Sequence, residues 1–250
     1  MKSVTQRIQE VKQPRGGFVN PAIFTQFPME IEYELSIEEN IHPSLVGLAV
    51  DYMTRYALGT PVEEAFKISF YGARIINKES VAIELAKKII GLDNDSIISA
   101  CKLVGFDVCF RSSVMGYRPV ETINPDEGTI KNIQIMINRS KVFFDNYGPI
   151  TKDGFTFEGA YTRIVGTGDG DFLTKDTLWD FKVSVAKPTS KHTLQLLMYY
   201  LMGKKSIHKE FVSISKIGIY NPRLNIVYLL NTDNIDEDTK KIVCDEIIGY

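Results

Sequence analysis

Two short apolar stretches joined by a polar turn place the strongest constraint on how this chain can fold. Residues 168–173 and 177–184 lie on either side of the turn and predict a β-hairpin. Side chains two residues apart in a strand share a face, so Asp180 and Lys182 project together while Trp179 projects into the opposite layer. A strand with this pattern requires a sheet that is covered by helices.

The rest of the chain divides into three parts that we expect to form one domain. Residues 1–40 contain three prolines and the pair Gly16-Gly17 and predict an irregular arm, residues 41–150 predict a helical part, and residues 151–250 predict the sheet with its helices. Helices are predicted over 43–58, 61–76, 80–91, 94–104, 129–147 and 235–248, and further strands over 155–165, 215–220 and 225–230. The predicted fold class is mixed α/β, with a central mixed β-sheet flanked by helices and a helical N-terminal half.

The residues that follow the hairpin predict an amphipathic helix. Apolar side chains recur at helical spacing from residue 190 to residue 202. Lys191, Gln195 and Tyr199 are four residues apart, and His192 precedes Gln195 by three, so all four can share one face. We expect that face to look toward the hairpin.

The acidic residues and the lysine of the hairpin indicate metal-assisted chemistry. Direct pairing of the two strands would bring Asp171 beside Asp180. Adjacent carboxylates raise each other's pKa unless a cation neutralises them, and all-oxygen ligation suits Mg²⁺ or Mn²⁺. Such a metal polarises a phosphodiester and activates a water, while Lys182 can hold that water or stabilise developing charge. The predicted reaction is phosphodiester hydrolysis.

These motifs carry a resemblance to a known family. Gly-x-Gly-Asp171, eight intervening residues and Asp180-x-Lys182 resemble the PD-(D/E)XK nuclease superfamily. Gln195-x-x-x-Tyr199 is similar to the motif of the RecB-like branch, which includes phage-type exonucleases and the nuclease domains of recombination helicases. The resemblance covers roughly the last hundred residues. It implies a restriction-endonuclease-like core, Asp171 and Asp180 as metal ligands, Lys182 as the catalytic lysine, and Gln195 and Tyr199 as substrate-positioning residues.

The resemblance also implies a further metal ligand ahead of the sheet. The family places an acidic residue on a preceding helix, for which Asp51 and Glu64 are candidates. His42 resembles the upstream metal-binding histidine of some RecB-like enzymes. Glu158, on the predicted strand before Asp171, is the alternative ligand because it would lie near the same sheet.

Composition and charge bound the partners and the compartment. No Asp or Glu occurs between Phe181 and Lys209, which favours local contact with a phosphate backbone, whereas the net charge of -2 argues against a generic DNA-coating protein. Three cysteines without close pairing favour a reducing cytoplasm and are too few for a four-cysteine iron-sulfur cluster. No stretch of the sequence predicts secretion or a membrane span.

The substrate and partners follow from the resemblance alone. It favours DNA, with RNA as the alternative polymer, and an exonuclease-like action. Because the sequence contains no helicase motif, a helicase or recombination partner would have to unwind the substrate. The sequence does not indicate the oligomeric state or the strand polarity.

The hairpin residues are also compatible with roles outside a nuclease site. Asp169 and Asp171 suit ordinary turn positions in a glycine-rich hairpin, and Asp180 with Lys182 suits a cross-strand ion pair on a solvated face. The fold could also serve a catalytically inactive nucleic-acid-binding or regulatory module. Finally, the site could be a metal phosphoesterase acting on a small phosphorylated substrate.

Overall fold

A computed structural model of the chain describes residues 1–30 and 33–250, which form two compact units. The sheet unit consists of Met1–Glu30 and Phe144–Tyr250, and the helical unit consists of Ile31–Phe143. The predicted mixed α/β class is confirmed, because a six-stranded mixed sheet is flanked by helices. Where the sequence predicted divisions after residues 40 and 150, the units change at residues 30 and 143.

The sheet unit is built on six strands in the order β2-β8-β7-β6-β5-β3, and β1 and β4 form a separate parallel pair. The strands are β1 (Lys2–Ser3), β2 (Thr25–Pro28), β3 (Lys152–Phe155), β4 (Val165–Thr167), β5 (Gly170–Leu173), β6 (Thr177–Phe181), β7 (Lys216–Asn221) and β8 (Ile226–Asn231). Within the six-stranded sheet β6 and β7 are parallel, and the other neighbours are antiparallel. The predicted hairpin is therefore confirmed as β5 and β6.

The two faces of the sheet are covered as the alternation of β6 predicts. Leu178 is fully buried in the same core cluster as Leu194 and Leu197 of α9 (Ser190–Lys205). Trp179 projects to the other face, where its ring contacts those of Phe172 and Tyr147. Its indole N–H donates to the hydroxyl of Thr174 (2.9 Å), so the polar atom of this large side chain is satisfied inside the core.

The N-terminal segment is not the irregular arm that the sequence predicted. Ser3 and Gln6 form a capping box that starts α1 (Val4–Glu10), and β2 adds an antiparallel edge strand to β8. The hydroxyl of Thr193 on α9 donates to the carbonyl of the buried Val19 (2.6 Å), which attaches the following segment to the body. The first thirty residues thus belong to the sheet unit.

The helical unit contains the helices that the sequence predicted, but the one predicted over 80–91 already ends at Ala86, and there are two further differences. The helices are α2 (Pro43–Ala57), α3 (Val62–Ala65), α4 (Lys67–Ile75), α5 (Glu79–Ala86), α6 (Asn94–Leu103), α7 (Asp107–Arg111) and α8 (Glu127–Tyr147), whose last residues enter the sheet unit. The helix predicted over 61–76 is divided at Phe66, and α7 was not predicted.

A buried polar network connects α7 to two other helices. The carboxylate of Asp107, 1% exposed, accepts hydrogen bonds from the hydroxyls of Tyr52 and Ser69 and from the guanidinium of Arg111. These contacts join α2, α4 and α7. Burial raises the pKa of the Asp107 carboxyl, and the three donors oppose that rise.

The prediction of a strand over 155–165 is wrong. The chain leaves the six-stranded sheet after Phe155, forms β4 in the separate pair with β1, and returns to the six-stranded sheet at β5. The predicted closing helix is present as α10 (Glu237–Ile242), continued by a π-helical segment at Val243–Ile248. In the part of the chain that the structure describes, no helix is long and apolar enough to cross a membrane.

We expect Gly218→Ala to destabilise the sheet unit. Gly218 lies beside Trp179 in the parallel pair, and an added Cβ would approach the indole ring to 2.4 Å. Forcing a methyl group into this packed core should lower the free energy of unfolding by about 1–3 kcal/mol. Urea unfolding followed by circular dichroism measures the change.

Gly128→Ala on α8 is the matched control, since the nearest atom to its added Cβ is 3.6 Å away. Its stability should be unchanged or slightly increased, because alanine favours a helix more than glycine does. Equal stability of the two variants would contradict the packing described for Trp179.

Candidate functional site

The centre of the site is the carboxylate of Asp180, which β6 carries into the face covered by α9. Asp180 is 3% exposed, and its Oδ1 lies 3.0 Å from the ammonium of Lys182. Its Oδ2 is buried and has no hydrogen-bond partner among the residues that the structure describes. A buried carboxylate oxygen without a hydrogen-bond partner lowers the free energy of unfolding. A further cation or hydrogen-bond donor at this oxygen would therefore be stabilising.

Asp171 lies beside Asp180 because of the hairpin register. Leu173 pairs with Leu178 and Phe172 with Trp179, so the next step of the ladder places Asp171 opposite Asp180. The carboxylate of Asp171 accepts the backbone N–H of Phe181 (2.7 Å), where the hairpin ladder ends. Both carboxylates project to the face of α9, since Leu173 and Leu178, two residues away from each, belong to the core cluster of that face.

Helix α9 presents a neutral hydrogen-bonding pair to these carboxylates. The amide of Gln195 donates to the hydroxyl of Tyr199 (3.0 Å), and Tyr199 is 4% exposed. Burial raises the pKa of the Tyr199 phenol well above its ordinary value, and the charges of Asp180, Asp171 and Asp169 raise it further against the hydrogen bond from Gln195. The phenol therefore remains protonated, and it lies within electrostatic reach of the hairpin carboxylates.

His192 completes the N-terminal part of this surface. Its Nδ1 accepts the backbone N–H of Thr189 (3.2 Å), so the neutral imidazole carries its proton on Nε2. Burial and the charge of Lys182 lower the pKa of His192, and the charge of Asp180 raises it. The structure thus brings together six residues of the predicted set, namely Asp171, Asp180, Lys182, His192, Gln195 and Tyr199.

Two predicted site residues have other partners. The ammonium of Lys191 bonds the side-chain oxygen of Gln9 on α1, so Lys191 lies on the flank of α9 that faces α1. Glu158 is exposed in the loop after β3, where it bonds Thr156 and His208 (3.1 Å to the imidazole). These bonds lower the pKa of Glu158. The expectation of a strand carrying Glu158 toward the sheet is wrong because β3 ends at Phe155.

The remaining ligand candidates belong to the helical unit and have local roles there. His42 caps α2, accepting the backbone N–H of Ser44 at Nδ1 (3.2 Å). Asp51 pairs with Arg55 (3.0 Å), and Glu64 pairs with Lys67 (2.8 Å). These are the contacts that solvated helices commonly contain.

The donor set at the hairpin fits a hard divalent cation. No group of three His, Cys, Asp or Glu side chains that could hold a metal is found in the described residues, and the two acidic side chains that the hairpin brings together are those of Asp171 and Asp180. Mg²⁺ is commonly held by one or two carboxylates, with water and substrate phosphate oxygens completing the shell. The buried, unpartnered Oδ2 of Asp180 is consistent with such a ligand.

One structural contributor near the site was missed by the sequence analysis. The buried side chain of Asn221 donates to the carbonyl of Ser184 (2.8 Å) and accepts the N–H of Arg223 (3.0 Å). It therefore ties the chain after Lys182 to the end of β7. The sequence showed Asn221 only as the start of a hairpin loop before Pro222, and no local signal indicates its long-range bond.

Comparisons with protein-family models, with curated proteins and with solved structures found no match to this chain.

The charges around His192 predict opposite responses to two substitutions. Lys182→Gln removes a positive neighbour and should raise the pKa of His192, whereas Asp180→Asn removes a negative neighbour and should lower it. Titration of the imidazole Cε1–H resonances by NMR measures both shifts, and His192→Gln assigns the signal. Shifts of the same sign, or none, would contradict the described cluster.

Proposed function

We propose that this protein is a metal-dependent nuclease of the RecB-like PD-(D/E)XK type that hydrolyses DNA phosphodiester bonds. The observation that carries the proposal is the buried Asp180, whose Oδ1 pairs with Lys182 and whose Oδ2 has no hydrogen-bond partner in the described residues. Asp171 lies opposite it in the hairpin register. A carboxylate pair with one neighbouring ammonium, on the covered face of a sheet, fits a site for a divalent cation and a phosphate.

The metal supplies the chemistry that the protein side chains lack. Mg²⁺ or Mn²⁺ bound at Asp171 and Asp180 would polarise a phosphodiester and lower the pKa of a water molecule. The two aspartates would bind the cation and fix its position, and burial of Asp180 keeps its carboxylate in one orientation.

Lys182 is the residue suited to act on the reacting groups. Its side chain is 29% exposed, so the ammonium lies at the border between the buried Asp180 and solvent. From there it can donate to an attacking water or to a phosphate oxygen on which charge develops. The ion pair with Asp180 holds the ammonium in place beside the buried carboxylate.

The α9 surface supplies neutral donors for the substrate. The protonated phenol of Tyr199 and the amide of Gln195 can orient a phosphate or sugar without adding another charge. His192 adds an Nε2–H donor in the same region, fixed by the bond from Thr189 to its Nδ1. A binding module without catalysis would have no need for Lys182 beside paired carboxylates.

A polymeric substrate is favoured by the charge of the flanking sequence. No acidic residue occurs between Phe181 and Lys209, so no negative charge in this stretch would repel a phosphate backbone that extends beyond the reacting group. DNA rather than RNA, an exonuclease-like action, a helicase or recombination partner and a cytoplasmic location stay predictions that rest on the resemblance and the cysteine content.

We expect divalent metal to support cleavage of end-labelled DNA by the wild-type protein. Asp180→Asn and Lys182→Gln should each reduce the rate about 100-fold or more, because each removes a group that stabilises the transition state. The measurement compares linear and closed circular DNA with Mg²⁺, Mn²⁺ or EDTA. Sparing of the circle would identify an exonuclease.

The matched controls are Asp176→Asn in the turn before β6 and Lys216→Gln at the start of β7, which form an ion pair of 2.8 Å at the opposite end of β6 from Asp180. These controls should retain the wild-type rate. An inactive wild type that still binds nucleic acid would instead favour the catalytically inactive module.

Metal binding can be tested without turnover. Mn²⁺ at about 100 times its dissociation constant should stabilise the wild-type protein by about 2.7 kcal/mol, and the increment should disappear in Asp180→Asn. Thermal unfolding with and without Mn²⁺ measures the effect, and Asp176→Asn should keep it. An equal increment in both variants would place the metal elsewhere.

A further inference from the structure

Four basic residues are grouped around the N-terminal end of α9, and the proposed catalytic chemistry uses none of them. We define the basic rim as Lys12 and Arg15 of the N-terminal segment together with Lys187 and Lys191 at the start of α9. The same end of the helix carries His192, which experiences the charges of Asp180 and Lys182. The basic rim therefore borders the candidate site.

The N-terminal segment is held against α9 by a close backbone contact. Gly17 has φ +87°, and a Cβ at this position would lie 2.5 Å from that of Ser190, so the turn can approach α9 only with glycine there. Further along the helix, the Thr193 hydroxyl bonds the carbonyl of Val19. Before this turn in the chain, Gln9 of α1 accepts a hydrogen bond from the ammonium of Lys191.

These contacts limit how far the basic residues can lie from α9. Arg15 precedes Gly17 by two residues, so its Cα lies within about 7 Å of the Cα of Gly17. Lys187 precedes Ser190 by three residues, which limits the corresponding distance to about 11 Å. Lys12 lies between Gln9, which bonds α9, and Gln13, whose side chain accepts the N–H of Phe18 in the same turn.

The basic rim is drawn from segments without acidic residues, and the nearest acid in sequence, Glu10, already pairs with Lys2 and Arg7. No Asp or Glu occurs in residues 11–29 or in residues 181–209, the two segments that supply it. Lys12, Arg15 and Lys187 are exposed and form no ion pair within the described part of the chain, and the partner of Lys191 is a neutral amide. Some exposed lysines elsewhere do have an acidic partner, since Lys67 pairs with Glu64 and Lys87 with Glu84.

We propose that the basic rim binds the sugar–phosphate backbone of a nucleic acid strand and leads it to Asp180. This inference rests on the proposed nuclease function and adds the N-terminal segment as a part of the substrate-binding surface. The net charge of the chain is -2, so attraction of a polyanion must come from a local concentration of positive charge. Cations without acidic neighbours release condensed counterions when they contact phosphates, which favours binding.

The test compares two double variants that each remove two positive charges. Lys12→Gln/Arg15→Gln alters the basic rim, and Lys175→Gln/Lys209→Gln alters two exposed lysines, one in the β5–β6 turn and one beyond the C-terminal end of α9. Binding of a labelled DNA duplex is measured in EDTA at several salt concentrations. Each lost phosphate contact should reduce the slope of log K against log salt by about 0.9.

The expected result is a slope reduced by about 1.8 for the basic-rim variant and an unchanged slope for the control. Equal slopes in the wild type and the basic-rim variant would overturn the inference, and so would an equal reduction in both double variants. Metal-dependent cleavage by the wild type in a parallel assay would leave the nuclease proposal standing in either case. Absence of both cleavage and DNA binding in the wild type would overturn both proposals.

Discussion

The position of β6 inside the sheet is the constraint on which the rest of the sheet unit depends. β6 is bonded to β5 on one side and to β7 on the other, and its side chains must alternate between two covered faces. Trp179 fills one face, so Asp180 has to enter the other, against α9. Bulk water has little access to a carboxylate in that position. Lys182 and the polar side chains of α9 therefore provide its surroundings.

The features that could be predicted from the sequence are those set by local periodicity. The alternation through β5 and β6 and a short turn determine their register, so the juxtaposition of Asp171 and Asp180 could be anticipated. The spacing of four between Gln195 and Tyr199 likewise determines that they meet on α9. For the same reason the long helices of the helical unit, such as α2, begin and end within a few residues of their predicted bounds.

The features that could not be predicted depend on partners distant in the chain. The short α1 is attached through Arg7, which donates to the carbonyls of Glu246 and Ile247 near the C-terminus. β2 is recognisable as a strand only because it pairs with β8, whose Leu229 lies opposite Thr25. Glu158 was a ligand candidate because a strand was predicted over 155–165 and would place it near the same sheet, yet the ladder ends at Phe155 and no sequence signal marks that exit.

The location of Trp179 has a consequence for observing the protein. It is the only tryptophan in the chain, it is 1% exposed, and it belongs to the sheet unit. Its emission therefore reports on the packing of the sheet core, whereas far-ultraviolet ellipticity is weighted toward the helices of the other unit. The residue adjacent to Asp180 thus acts as an intrinsic optical probe, able to show whether the two units lose their structure in one transition or in two.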